Sequence, residues 1–120
     1  MKLNVRGKVI YGDGYGAPLG YPTANLRMPK KTISSGVYAG YVKFSGKRYK
    51  GLVVVGMPSE TEKKPKLEVH ILDFEKMIYG QWLSVEIVKK MRPLKEFSHR
   101  NLLLETIKND CEQARLILDL

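Results

Sequence analysis

The chain carries two kinds of hydrophobic pattern, one up to residue 97 and another after it. In residues 3–10, apolar Leu3, Val5 and Val9 alternate with polar residues, a period of two that is typical of a half-buried β-strand. Four further strands are predicted at 37–44, 47–55, 67–74 and 82–88. The dipeptide Ser45-Gly46 predicts a tight hairpin between the first two of these. Short strands separated by turns indicate a small barrel or sandwich.

From Ser98 onward the period changes to about 3.6, which predicts an α-helix with Ser98 as its N-cap. Its apolar stripe is Leu103, Ile107, Cys111, Ala114 and Leu118. An amphipathic helix must bury its apolar face, and the predicted barrel is the available partner.

The composition fits one compact domain over residues 1–120. Hydrophobic residues make up 43%, but no run approaches the roughly 20 apolar residues of a membrane span, and the start has no apolar signal region. We therefore expect a cytoplasmic protein without a membrane partner. The single cysteine, Cys111, excludes an internal disulfide and a cysteine-rich zinc site, and is predicted to lie in the core.

The net charge of +9 suits a polyanionic partner, either nucleic acid, an anionic membrane or a phosphorylated small molecule. The lysines and arginines are scattered in pairs such as Lys47-Arg48 and Lys89-Lys90, and none forms a block of five. A charged but unspecialised surface is therefore favoured over a nucleic-acid footprint. A basic, OB-like barrel that stacks bases on its tyrosines remains the alternative from another class.

The segment from Gly12 to Asn25 carries the strongest functional signal. Four glycines in nine positions leave a backbone that a ligand can approach closely, and exposed backbone N–H groups suit phosphate. The segment lacks the Walker A and Rossmann arrangements. Pro22 then fixes a turn in which Thr23 and Asn25 offer neutral oxygens of the kind that Mg²⁺ accepts. The alternative is a hairpin tip whose polar side chains satisfy their own backbone.

Glu68 lies in an otherwise apolar strand, where alternation places it on the same face as His70. A carboxylate is rarely buried without a function, so Glu68 is a candidate general base, unless that face is simply hydrated. Between the last strand and the helix, Arg92, Lys95 and Phe97 could together hold a phosphate and an aromatic ring. Taken alone, that segment is a basic loop.

Together these segments resemble the riboflavin kinase (flavokinase) family, including the kinase module of bacterial bifunctional riboflavin kinase/FAD synthetases. The matching segments are Gly12-Asp13-Gly14, Leu19 to Leu26, Ser35 to Gly40, Leu67 to Phe74, Tyr79-Gly80, Leu83-Ser84-Val85, Arg92-Pro93, Phe97 and Asp110. Their order and spacing hold over nearly the whole chain.

The resemblance implies a mainly β fold, a six-stranded antiparallel Greek-key barrel with a C-terminal α-helix. It also implies transfer of the γ-phosphoryl group of a nucleoside triphosphate, with ATP expected, to the 5′-hydroxyl of riboflavin, giving FMN. Thr23 and Asn25 would bind Mg²⁺, and Glu68 would be the base. The resemblance implies further that the nucleotide is bound by Gly12, Gly14, Gly16, Thr23, Asn25, Ile71, Asp73 and Tyr79, and the flavin by Arg92, Lys95 and Phe97.

The chain departs from the family pattern in the glycine loop, where Tyr15 and Ala17 stand in place of the usual arginine or lysine. The loss of a phosphate-pairing cation makes a catalytically weakened flavin-binding module a further alternative. The family leads us to expect small-molecule substrates, no nucleic-acid partner and a monomer.

Overall fold

The computed structural model describes residues 3–10, 23–27, 33–56, 67–74 and 78–119. Its elements are β1 (Leu3–Ile10), β2 (Ala24–Leu26), β3 (Gly36–Phe44), β4 (Lys47–Val55), β5 (Leu67–Ile71), β6 (Trp82–Arg92) and α1 (Arg100–Leu118). The strands predicted at 3–10 and 47–55 are confirmed to the residue. Strand β5 ends at Ile71 instead of residue 74, whereas β6 continues beyond residue 88 to Arg92.

The six strands form a closed barrel in the order β1-β2-β5-β4-β3-β6, and all neighbouring pairs are antiparallel. Within it, β3, β4 and β5 are consecutive neighbours and β6 returns beside β3, which is the Greek-key order. The mainly β barrel with a C-terminal helix is confirmed. Strand β2 was not predicted from the pattern, which placed Ala24 and Asn25 in a turn; they lie in a short strand instead.

Two turns depend on residues in the left-handed region. Ser45 and Gly46, at φ 51° and 79°, form the two-residue connection between β3 and β4. Positive φ at both central positions is the geometry that matches the twist of a hairpin, so the predicted hairpin is confirmed. Asp73, at φ 58°, lies in the turn that ends β5, and this turn is why the strand is shorter than predicted.

Apolar side chains form two clusters, one inside the barrel and one between the barrel and α1. The fully buried members of the inner cluster include Val42, Val53, Val55, Leu67 and Leu83. The outer cluster is built on Val37, Ala39, Leu52, Leu72, Cys111, Ala114 and Leu118. The helix thus covers one outer side of the sheet, as its apolar stripe predicted.

Helix α1 is attached differently at its two ends. Its N-cap is His99, which makes no side-chain cap hydrogen bond, so the prediction of Ser98 as the cap is wrong. At the other end, the Tyr41 hydroxyl donates to the carbonyl of Leu118, and Lys50 pairs with Asp119. Among the described residues, no helix is long and apolar enough to cross a membrane.

Candidate active site

Strand register places the predicted polar residues in one row around the outside of the barrel. Successive cross-strand partners in this row are Ile10, Asn25, Glu68, Val54, Val37 and Arg92. Direct partners in an antiparallel pair have Cβ atoms roughly 5 Å apart, so Asn25 and Glu68 are immediate neighbours. Residues 43 positions apart in sequence are therefore adjacent in the fold.

Strand β6 reaches this row through two irregularities. Its register against β3 shifts between Val37 and Tyr38 and again between Ala39 and Gly40, because β6 holds one extra residue at each step. Such bulges bend a strand and re-aim its side chains. Arg92 ends β6 opposite Val37 as a result, on the helix-covered side of the sheet.

A cavity of about 270 Å³ lies between this outer face, the segment after β6 and α1. Its polar lining is Thr23, Glu68, His70, Arg92, Lys95 and Asp110. Its apolar lining is Val37, Leu52, Val54, Leu94, Phe97, Leu103 and Ile107. The cavity thus unites the residue after the glycine-rich segment, the glutamate strand and the basic segment before the helix, which were three separate predictions.

Glu68 occupies a half-buried position on the outer face of β5, between Asn25 and Val54. Asn25 is buried, at 8% exposure. Thr23, two residues before Asn25, lines the same cavity as Glu68. The Thr23 hydroxyl and the Glu68 carboxylate therefore line one partly apolar cavity, and Asn25 is the cross-strand neighbour of Glu68. A carboxylate in such a setting can orient a hydroxyl group and accept its proton.

Arg92 is held by Asp110 of the helix. Its Nε donates to Oδ1 at 3.0 Å and to Oδ2 at 3.2 Å, and its Nη2 donates to Oδ2 at 2.7 Å. Its Nη1 donates to the carbonyl oxygen of Pro93 at 3.0 Å. Two parallel bonds from a guanidinium to a carboxylate fix its orientation as well as its position. The guanidinium is thus fixed at the cavity wall.

The other residues predicted to bind nucleotide lie away from this lining. Ile71 is buried inside the barrel, and Tyr79 is exposed in the turn before β6. Asp73 is exposed and accepts from Arg115 Nη1 at 2.7 Å and Nη2 at 3.1 Å. These hydrogen bonds hold the pKa of Asp73 below its usual value. Gly12, Gly14 and Gly16 fall outside the described residues.

Sequence reasoning gave no role to two of the polar lining residues, Asp110 and His70. His70 was predicted only to share a face with Glu68. Asp110 interrupts the helix's apolar stripe next to Cys111, and a carboxylate on a buried stripe is an informative exception. This charge on the buried stripe was the signal in the sequence that Asp110 would need a cationic partner in the fold.

The oxygen donors fit a magnesium ion better than a metal held by protein alone. Among the described residues, no group of three or more His, Cys, Asp or Glu side chains could hold a metal. Thr23, Asn25 and Glu68 supply a hydroxyl, an amide and a carboxylate oxygen. Mg²⁺ is usually bound by few protein ligands, with waters and substrate phosphates completing its octahedron.

A second depression, of about 360 Å³, lies on the outer face of β1, β6, β3 and β4. Arg6, Lys43 and Arg48 line it, together with Glu86. The Arg48 guanidinium lies 3.5 Å from the centre of the Tyr41 ring. None of the predicted site residues that the structure describes lines this depression, so its larger volume does not make it the candidate active site.

Fold and cavity together define a barrel domain that can hold a partly apolar small molecule beside a set of oxygen donors. The family model described as Flavokinase: Riboflavin kinase matches residues 1–118. The chain belongs to the riboflavin kinase family.

Individual relatives agree with this assignment. The bifunctional riboflavin kinase/FMN adenylyltransferase of Bacillus subtilis is 34% identical over 116 residues, covering 92% of this chain and 37% of that protein. The riboflavin kinase of Homo sapiens is 37% identical over 125 residues, covering 96% of this chain and 80% of that protein. The chain therefore spans little more than a third of the bacterial relative and most of the human one.

A crystal structure of a macrolide-efflux protein from Streptococcus pneumoniae superposes with a TM-score of 0.86. It is 32% identical, and the match covers 94% of this chain and 38% of that one. Its name refers to macrolide efflux, and that description applies to the pneumococcal protein and not to this chain. The superposition supports the barrel fold described above.

Proposed function

We propose that this chain is a riboflavin kinase that transfers the γ-phosphoryl group of a nucleoside triphosphate, ATP first among the candidates, to the 5′-hydroxyl of riboflavin. The observation that carries the proposal is the shared lining of one cavity by Thr23 and Glu68. A phosphoryl donor at Thr23 would then lie within reach of an acceptor hydroxyl at Glu68. Family membership supports the same reaction.

In this proposal Glu68 acts on the acceptor. Phosphoryl transfer requires mainly positioning and charge stabilisation from the protein. The Glu68 carboxylate would orient the ribityl hydroxyl and take its proton as the oxygen attacks the γ-phosphorus. The neighbouring Asn25 and the apolar Val54 fix the carboxylate's surroundings. General-base assistance of this kind is worth ~10²–10⁴-fold in rate.

Thr23 and Asn25 would hold the magnesium ion, whose charge would neutralise the phosphate oxygens. Their neutral oxygens leave coordination positions for the phosphates and water. The glycine segment with Gly12, Gly14 and Gly16 is proposed to supply backbone N–H groups to the phosphates. Ile71, Asp73 and Tyr79 remain predicted nucleotide neighbours.

The flavin would occupy the apolar part of the cavity. Phe97 and Leu94 of the segment after β6 face it with Leu103 and Ile107 of α1. Such a wall suits a flat aromatic ring system, and pockets that bind small molecules are commonly apolar with a few directing polar groups. Lys95 and Arg92 are the cations at this wall.

The deciding experiment is incubation of the chain with riboflavin, Mg²⁺ and ATP, CTP or GTP in turn, followed by chromatography for FMN. Formation of FMN with at least one triphosphate, and its loss with EDTA, is expected. Riboflavin binding without FMN would identify a catalytically weakened module. If the chain neither binds riboflavin nor forms FMN, but shifts a single-stranded oligonucleotide in a salt-dependent way, the nucleic-acid alternative is favoured.

We further propose that the protein is a cytoplasmic monomer. Gel filtration tests the oligomeric state.

Thr23→Val keeps the shape of the side chain and removes its oxygen. We expect the affinity for Mg²⁺–ATP, measured by calorimetry, to fall by at least about tenfold, because a bond to a charged partner is lost. Thr106→Val is the matched control, since the Thr106 hydroxyl donates to the carbonyl of Leu102 within α1. Unchanged Mg²⁺–ATP affinity in Thr23→Val would remove Thr23 from the metal site.

A further inference from the structure

Asp110 lies at the junction of three parts of the site. Its side chain belongs to α1 and is one of two buried polar or charged residues among those described, at 5% exposure. It receives the guanidinium of Arg92, the last residue of β6. Both residues line the cavity. A single ion pair therefore joins the end of the barrel to the middle of the helix.

The segment between these partners forms one wall of the cavity. Residues 93–99 connect β6 to α1, and Leu94, Lys95 and Phe97 in this segment all line the cavity. The Nη1 of Arg92 donates to the carbonyl of Pro93, the first residue of the segment. The pair consequently fixes both the start of the segment and the helix to which it leads.

The first half of α1 has weaker local support than the second. Its first turn has no side-chain cap hydrogen bond and no acidic residue to favour the helix dipole. Leu103 and Ile107 are half-buried and face the cavity, whereas Cys111, Ala114 and Leu118 are buried against the barrel. Asp110 is the first buried residue of the helix, at the point where firm packing begins.

We propose that Asp110 is a positioning residue for the flavin: by holding Arg92, it sets the wall formed by residues 93–97 and the first half of α1. The inference rests on the proposed riboflavin kinase activity. It assigns the carboxylate no contact with substrate, because Arg92 occupies its oxygens. An ion pair of fixed geometry is suited to this task, since both side chains are oriented before the ligand arrives.

The test is Asp110→Asn, which keeps the side chain's size and removes its charge. We expect the KM for riboflavin, and its Kd by quenching of flavin fluorescence, to rise by about tenfold or more, as for a lost charge-assisted hydrogen bond. The KM for ATP should stay within about twofold, because Thr23 and Asn25, proposed to hold its magnesium ion, lie at β2 and not in residues 93–97 or α1. Asp119→Asn is the matched control, since Asp119 is the exposed C-cap of the same helix and pairs with Lys50 of β4.

A purely structural role gives a different result. It would lower the melting temperature and the active fraction while leaving both KM values unchanged, and that result would overturn the proposal. Asp110→Glu, which keeps the charge, should restore part of the riboflavin affinity. No recovery in a folded Asp110→Glu variant would also count against the proposal.

Asp110→Asn leaves the half-buried guanidinium of Arg92 without its carboxylate partner, and the variant could fail to fold. The double variant Arg92→Gln/Asp110→Asn removes both charges and avoids that penalty. Because Arg92 is itself a proposed flavin-binding residue, the double variant is compared with Arg92→Gln alone. The two should bind riboflavin within about twofold of each other, and a further loss of about tenfold in the double variant would show that Asp110 does not act through Arg92. Riboflavin affinity equal to that of wild type in the double variant would also overturn the proposal. If the wild-type chain binds riboflavin but makes no FMN, the proposed activity fails while the Kd comparison still tests Asp110. If it does not bind riboflavin, both fail.

Discussion

The two faces of β5 differ in burial and in chemistry. Leu67, Val69 and Ile71 point into the barrel and are at most 5% exposed. Glu68 and His70, which alternate with them, point outward into the cavity and are half-buried. Five consecutive residues therefore contribute to the core and to the site at once, because side chains of a strand alternate between its faces. The comparison teaches that stability and activity can be altered separately within one strand.

The largest expected effect is on the outer face. Glu68→Gln should lower turnover by ~10²–10⁴-fold, which corresponds to about 3–5 kcal/mol of barrier, because the acceptor hydroxyl would lose its proposed base. Riboflavin and nucleotide affinities and the melting temperature should be retained. Glu86→Gln is the matched control, since Glu86 lies on β6 at the other depression. Near-normal turnover of FMN in Glu68→Gln would exclude Glu68 from the mechanism.

The corresponding change on the inner face is Leu67→Ala. Leu67 is fully buried, and truncation of such a leucine destabilises a protein by about 2–5 kcal/mol through lost burial and the cavity left behind. Denaturant unfolding should show this loss, while the kinetic constants of the folded fraction stay near those of wild type. Leu116→Ala, at a helix position that is 63% exposed, is the control and should change stability little. A selective loss of turnover in Leu67→Ala would show that the two faces of β5 do not control stability and activity separately.

Cys111 extends the comparison to the surface between barrel and helix. Burial raises the pKa of its thiol from 9.0 to about 11. The folded state therefore holds a proton that the unfolded chain releases, so this contribution to stability is full below pH 9 and is lost as the pH rises to about 11. The loss is on the order of 2 kcal/mol. Plotted against pH, the free energies of unfolding of wild type and Cys111→Ala should converge or cross between pH 9 and about 11. A constant difference between them over this range would contradict the prediction.

The smallest effect is expected at the exposed turn after β5. Hydrogen bonds from Arg115 lower the pKa of Asp73, so its contribution to stability is present above the ordinary value of 3.8 and is lost as the pH falls through the lowered pKa. Asp73→Asn tolerates the same backbone and should cost about 0–1 kcal/mol at neutral pH. The difference in melting temperature from wild type should vanish in strong acid. A difference that persists there would show that the ion pair is not its source.

The sequence predicted most of the strands because a buried interior imposes a period of two. It missed β2, since three residues are too few to show alternation. It ended β6 too early, because the two bulges disturb the alternation around Lys89 and Lys90. The end of β5 depends on the left-handed Asp73, which composition does not signal.

The site was predicted in pieces that the pattern alone could not assemble. The pairing of Asn25 with Glu68 depends on β2 lying beside β5, which is a property of the whole topology. The resemblance to riboflavin kinases assigned Thr23, Asn25 and Glu68 to one reaction, but it predicted neither β2 nor its pairing with β5. The hold of Asp110 on Arg92 required the helix to be placed against the barrel, and no local pattern gives that placement.

The row of cross-strand partners around the barrel has a consequence for misfolding. If β5 slipped by one residue against its neighbours, Leu67 would turn toward solvent and Glu68 toward the interior. The same slip would dismantle the proposed base and expose the core, so a wrongly paired molecule could not persist as a stable but inactive competitor. Burial of the apolar inner face thus selects the strand register that also aligns the polar groups on the outer face.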